Sequence, residues 1–191
     1  MRLPACIAAA AGALAIAAPA SAAVPSGARV EALIGLDDLG LDSFGNRDDP
    51  RSSGLVYGLG AGYDFALGTG VAVGVDVEAS DSAAGIRFVS PPDDNSFDLG
   101  LDLYAGARLT VAVAESVNLY AKGGYSSVRS RRQLINPTFP QTIETSEGGV
   151  RAGAGLQVEL AGNLYVGGEY RFSTYGEFDR HQGVATLGVR F

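Results

Sequence analysis

Eight stretches with apolar residues at every second position, joined by connections that alternate between long and short, predict an all-β chain. Each stretch is apolar on one face and mixes glycine with full charges on the other. Together these observations predict an eight-stranded antiparallel transmembrane β-barrel, wound as an up-and-down meander.

The chain has 191 residues, enough for one domain with a sizeable core. It opens on MRLPACIAAAAGALAIAAPASA. Arg2 precedes an apolar run from Ala5 to Ala18, followed by Pro19 and the small-residue site Ala20-Ser21-Ala22. This is the pattern of a secretory signal peptide, too short and too rich in alanine to span a bilayer. Cleavage is expected after Ala22, leaving 23–191 as a single barrel domain. The only cysteine, Cys6, precedes the apolar run, whereas a lipoprotein acylation cysteine would follow it. The mature chain is therefore expected to lack disulfides, thiolate metal sites and a thiol nucleophile.

The strands follow in order. Ala28–Leu36 sets Val30, Ala32, Ile34 and Leu36 against Arg29, Glu31 and Gly35. Gly54–Phe65 sets Leu55, Tyr57, Leu59, Ala61, Tyr63 and Phe65 against Val56, three glycines and Asp64. Val71–Ala79 alternates four valines with Ala72, Gly74, Asp76 and Glu78. Phe97–Leu109 sets Phe97, Leu99, Leu101, Leu103 and Leu109 opposite Asp98, Gly100, Asp102, Tyr104 and Arg108. Val117–Val128 opposes Val117, Leu119, Ala121 and Tyr125 to Asn118, Tyr120, Lys122, Gly124 and Ser126. In Glu147–Leu160, Val150, Ala152, Ala154, Leu156 and Val158 oppose Arg151, Gly153, Gly155, Gln157 and Glu159. Leu164–Phe172 pairs an apolar face with Tyr165, Gly167, Glu169 and Arg171. The last, Gly183–Phe191, alternates Ala185, Leu187, Val189 and Phe191 with Val184, Thr186, Gly188 and Arg190.

Long connections are expected at Asp37–Ser53, Ser80–Ser96 and Arg129–Ser146, with a shorter one at Ser173–His181. Tight turns fall at Leu67–Gly70, Ala112–Ser116 and Ala161–Asn163. Such alternation fits a barrel with turns at the periplasmic rim and loops at the outer rim.

Glycine tells which face looks where. Gly58, Gly60, Gly62, Gly74, Gly106, Gly153, Gly155 and Gly188 all share the charged face. On the outside of a soluble barrel they would only weaken the sheet, whereas inside a narrow barrel they make room for long side chains. Aromatics agree with the lipid-facing assignment. Tyr63, Phe65 and Phe191 fall near the short-turn rim, and Tyr57, Phe97, Tyr125, Tyr170 and Phe172 near the long-loop rim. A formal charge of −7 argues against a nucleic-acid partner.

The signal segment, the eight dyad-repeat strands, the alternating connections and the terminal LGVRF resemble the eight-stranded outer-membrane barrels. These are the OmpA-like transmembrane domain and the opacity-type surface antigens often labelled porin family. The resemblance covers essentially Ala23 to Phe191. It implies residence in the outer membrane of a Gram-negative-type bacterium, among lipid and lipopolysaccharide. It also implies biogenesis through periplasmic chaperones and the barrel-assembly machinery, with Ala185, Leu187, Val189 and Phe191 as the assembly signal. Nothing follows the barrel in this sequence, so tethering to peptidoglycan by a further domain is not expected. The role implied is structural and surface-interactive, with outer loops presented to a host or surface ligand. The alternative is a narrow porin or channel for small solutes or ions, and a lipid-modifying enzyme comes third.

Candidate chemistry is sparse, and neither a catalytic site, a cofactor nor a metal is expected. The only histidine, His181, lies in DRHQG. A lipid A deacylase-like site would want Ser two positions later, where Gly183 stands, although Asp179 or Glu177 could orient His181 and Ser173 could serve as nucleophile. The carboxylate pairs Asp76/Glu78 and Asp98/Asp102 read as lumen filling rather than as an acid–base couple. With Glu31, Glu169, Arg29, Arg108, Lys122, Arg151, Arg171 and Arg190 they form the expected lumen charge network, since a desolvated charge needs a partner. An eight-stranded interior is about wide enough for its own side chains. The glycine triplets in GLGAGYD and RAGAGLQ lie within strands and do not make a nucleotide loop. Asp37, Asp38, Asp48, Asp49, Asp93 and Asp94 read as solvated outer-loop acids, with divalent ions as the sharper alternative. Arg129, Arg131 and Arg132 are placed to pair with lipopolysaccharide phosphates.

Overall fold

A strand with one apolar and one polar face can cross lipid only within a closed sheet, where every backbone group is paired. The computed structural model describes residues 24–41, 51–83, 85–90, 93–135, 141–160, 162–175 and 178–191, and these form such a sheet. Its strands are β1 (Gly27–Leu41), β2 (Arg51–Ala66), β3 (Val71–Ser82), β4 (Gly85–Ser90) and β5 (Asp93–Ala114). They continue with β6 (Val117–Ile135), β7 (Gln141–Glu159), β8 (Leu164–Thr174) and β9 (Phe178–Arg190). β3 and β4 lie end to end along β5, pairing from Val71↔Val111 to Ser80↔Asp102 and from Gly85↔Asp98 to Ser90↔Asp93. They are two lengths of one stave, so the barrel has eight staves, all antiparallel. β1 against β9 closes it, from Arg29↔Arg190 to Leu41↔Phe178.

The stagger follows from the register. Paired residues lead from Arg29 through Gly62, Asp76, Gly106, Gly124, Arg151, Ser173 and Arg180 back to β1 at Leu39, ten residues further on. With ordinary strand rise and spacing, that offset tilts the staves roughly 40° and sets a backbone radius of about 8 Å. So narrow a cylinder leaves room for side chains and little else.

Burial alternates along the staves. On β3, Ala72, Gly74, Asp76, Glu78, Ser80 and Ser82 are buried, while Val73, Val75 and Val77 are exposed to the lipid side. Tyr63, Phe65 and Phe191 are exposed at the short-turn rim, and Tyr57, Tyr125 and Tyr170 toward the other. Phe172 is half-buried, and the Phe97 side chain lies outside the described residues. One leucine departs from the expected pattern. A register shift between Leu99 and Asp102 reverses the parity of β5, so Leu99 turns inward at 5% exposure while Leu101 and Leu103 face out.

The long connections are also corrected. Much of Asp37–Ser53, Ser80–Ser96, Arg129–Ser146 and Ser173–His181 is strand, and only the tips lie outside the described residues. Backbone pairing continues past the lipid for as long as the neighbour stays in register. Past the lipid the outward face meets water, so apolar residues no longer mark it and the sequence signal stops, although the inner face stays buried at Asp37, Ser80, Ser82 and Arg180. The signal segment 1–22 and Asp48 and Asp49 likewise lie outside the described residues.

Candidate functional site: the ion-pair network of the lumen

The inward positions of all eight staves converge on one connected network. At the inner end, Asp64 accepts from Arg29 Nε at 3.0 Å and from Arg190 Nη1 at 2.6 Å. Arg29 also pairs with Asp76, whose second oxygen accepts from Arg108 Nε at 3.0 Å. Arg108 approaches Glu31 at 3.7 Å, and the Tyr165 hydroxyl donates to Glu31 at 3.0 Å. Midway, Lys122 Nζ lies 2.9 Å from Glu169 and 3.4 Å from Glu78, and Arg171 donates to both carboxylates at 2.5 Å. Tyr120 joins the two levels. Its hydroxyl donates to Glu169 at 2.7 Å, and the Arg108 guanidinium lies 4.0 Å above its ring.

Toward the outer rim, Arg151 bridges Glu78, at 3.6 Å, and Asp102. Asp102 also takes Arg180 Nη1 at 2.6 Å and the Ser126 hydroxyl at 2.5 Å. Arg180 Nε reaches both oxygens of Asp37, at 2.8 and 2.9 Å, and the Ser82 hydroxyl donates to the same carboxylate at 2.6 Å. Tyr175 caps the cluster, donating to Ser126 at 3.0 Å.

Among the described residues the network thus holds seven cations (Arg29, Arg108, Lys122, Arg151, Arg171, Arg180, Arg190) and seven carboxylates (Glu31, Asp37, Asp64, Asp76, Glu78, Asp102, Glu169). Their charges cancel, which an interior shielded from water requires: an ion left without its partner there is strongly destabilising. Glycine supplies the space. A Cβ on Gly62 would lie 2.5 Å from Arg29 Nη2 and 2.6 Å from Asp76 Oδ1.

Eleven of the twelve network residues read from the sequence meet here, and the side chain of the twelfth, Asp98, lies outside the described residues. Three more join them: Asp64, which the sequence places on the charged face of its strand, and Asp37 and Arg180, which pattern reading misses because both fall in stretches that read as loops. Asp37 is no solvated loop acid: it is 1% exposed and held by Arg180. Their parity with Arg29 and Arg190, continued a few steps along the same strands, was the available signal.

The remaining candidates sit elsewhere. His181 is outside the barrel, its Nδ1 2.6 Å from the Tyr170 hydroxyl and its ring 5.0 Å from Phe172. Ser173 is inside and accepts from Arg151 Nε at 2.9 Å, so the wall separates it from His181 and the imagined nucleophile–base pair is not assembled. Arg129 and Arg131 are exposed on the outer length of β6, with Arg131 2.7 Å from Glu144, and the Arg132 side chain lies outside the described residues. Leu187 and Phe191 face outward, and Phe191 N donates to the Ala28 carbonyl at 2.8 Å.

A closed eight-stave barrel with an apolar exterior and a charge-neutral, side-chain-filled lumen is the architecture of an integral outer-membrane protein. The profile described as "Outer membrane protein beta-barrel domain" matches residues 6–191, and the chain belongs to that family of the bacterial outer membrane. Its fold is similar to that of Ail, the attachment invasion locus protein of Yersinia pestis, solved in complex with the heparin analogue sucrose octasulfate. That similarity has a TM-score of 0.56 at 18% identity, over 88% of this chain and 100% of that one. Neisserial surface protein A is similar at a TM-score of 0.59 and 15% identity, over 87% of this chain and 98% of that one. No curated protein sequence matches the chain.

Proposed function

We propose that this protein is a non-catalytic barrel that stabilises the envelope and presents its outer hairpins as an interaction surface, with a lumen closed to solutes. The carrying observation is the chain of ion pairs from the inner to the outer rim, neutral among the described residues and joined between its inner and middle levels by Tyr120. A conducting pore needs a wet path, and here the path is occupied by paired guanidinium and carboxylate groups. In this reading the leader is removed after Ala22, and Leu187, Val189 and Phe191 serve the assembly machinery. Arg129, Arg131 and Arg132 meet lipopolysaccharide phosphates.

Charge also indicates the kind of surface partner. Outside the network, the stretches 38–53, 81–97, 129–147 and 174–181 carry eleven carboxylates against six arginines. Such a rim favours a cationic ligand over a polyanion of the kind bound by Ail. Single-channel recording of refolded protein tests the closed lumen. The native chain should give no steady conductance, and Arg108→Ala or Glu31→Ala should introduce one. Steady conductance from the native chain would establish the channel reading instead. Binding of the native barrel to poly-lysine and to heparin, compared at low and high salt, tests the surface: poly-lysine should bind and heparin should not.

A further inference from the structure

The three described residues before β1 belong to no strand, yet Val24 and Pro25 are buried. Val24, at 8% exposure, packs with Ala72 at the start of β3 and Ala112 near the end of β5, both fully buried. In the sheet β1 lies between β2 and β9, so neither β3 nor β5 is its neighbour. The segment therefore crosses the inner mouth of the barrel rather than continuing the line of β1.

Gly27 makes the crossing sterically feasible. Its φ is +111°, and a Cβ there would collide with the carbonyl oxygen of Phe191. Chain entry and chain end thus meet at one point of the rim, and only a residue without a side chain lets the backbone turn inward there. Ala72 and Ala112 are on lumen-facing positions at the level where the barrel opens to water, and the small size of both leaves a socket for Val24. The other half of the mouth is a polar recess of about 170 Å³ lined by Ser26, Glu159, Asn163, Tyr165 and Arg190.

We propose that Val24–Ser26 is a stopper that docks into the Ala72/Ala112 socket and shields the inner end of the ion-pair network from the periplasm. The proposal deepens the closed-lumen reading and rests on it for orientation. Its mechanical claim is separate: the segment covers Ala112, and removing the Val24 side chain uncovers it. Burying a valine side chain favours the docked state by roughly tenfold at least.

The test uses the full chain with Cys6→Ala and Ala112→Cys, refolded in detergent micelles and treated with a charged maleimide. The single introduced thiol should react slowly. Val24→Asp, and separately deletion of residues 24–26, should each raise the rate at least about tenfold. Both variants should keep heat-modifiable migration in gels, which shows that the barrel itself is folded. Equal rates in all three folded proteins would overturn the stopper. Single-channel recording of the same proteins reads the lumen independently. Steady conductance with a shielded thiol would sink the closed-lumen reading alone, and equal labelling with a silent lumen would sink the stopper alone.

Discussion

Arg180 on β9 and Asp37 on β1 lock the outer end of the seam where the last strand meets the first. Arg180 Nε lies 2.8 and 2.9 Å from the two Asp37 oxygens, and both side chains are fully buried. Chain closure is thus held by charge as well as by the backbone ladder. Asp37→Ala leaves the guanidinium with Asp102 alone and should lower stability by about 3–5 kcal/mol. The double variant Asp37→Leu/Arg180→Met removes both charges and should lose less. Urea titration of protein folded in lipid vesicles measures the difference; a double variant weaker than the single one would contradict the account.

Gly62 and Gly168 should differ in their response to enlargement. Gly62 is wedged between Arg29 and Asp76, whereas a Cβ on Gly168 meets nothing within 4 Å. Gly62→Val should cost about 1–3 kcal/mol through displacement of the pair. Gly168→Ala should stay within about 0.5 kcal/mol of the native protein. The same titration reads both, and similar losses at the two sites would argue against crowding as the reason for glycine inside.

On the outer surface, depth in the membrane should govern the effect of charge. Val77 is exposed midway along β3, and Leu36 is exposed toward the outer end of β1. Val77→Arg should destabilise the barrel by about 2–4 kcal/mol in vesicles, and Leu36→Arg by about 0–1 kcal/mol. Equal effects would indicate that the apolar face does not meet hydrocarbon.

Deleting Phe191 removes an exposed rim aromatic together with its 2.8 Å bond to Ala28. Outer-membrane insertion should fall while export to the periplasm continues, as read by fractionation and heat-modifiable migration. Normal insertion of the shortened chain would remove Phe191 from the assembly signal.

Much of this molecule is legible from residue order because the bilayer imposes a local rule. Val71 to Val77 had to face lipid together, and Asp76 and Glu78 had to face inward, once the chain alternated at all. The rule ends where the lipid ends. Asp37, Arg180 and the outer lengths of β5, β6 and β7 lie beyond it, where pairing persists but the outward face is no longer apolar, so these strands read as loops. Leu99 shows a different limit. A bulge changes parity by one residue, and no composition signal marks it.

Sequence alone therefore determined the eight staves, the side of the wall taken by the side chains of the patterned stretches except where the bulge turns Leu99 inward, and the mixed-sign interior, since each follows from period two and hydration. Only the tertiary structure decided the partners: that Arg29 holds Asp64 and Asp76, that Tyr120 joins two levels of charge, and that Val24 reaches Ala112. Those pairings depend on a ten-residue stagger round a cylinder of about 8 Å radius, which brings together side-chain partners as far as 143 positions apart. No pattern within a single strand carries that information.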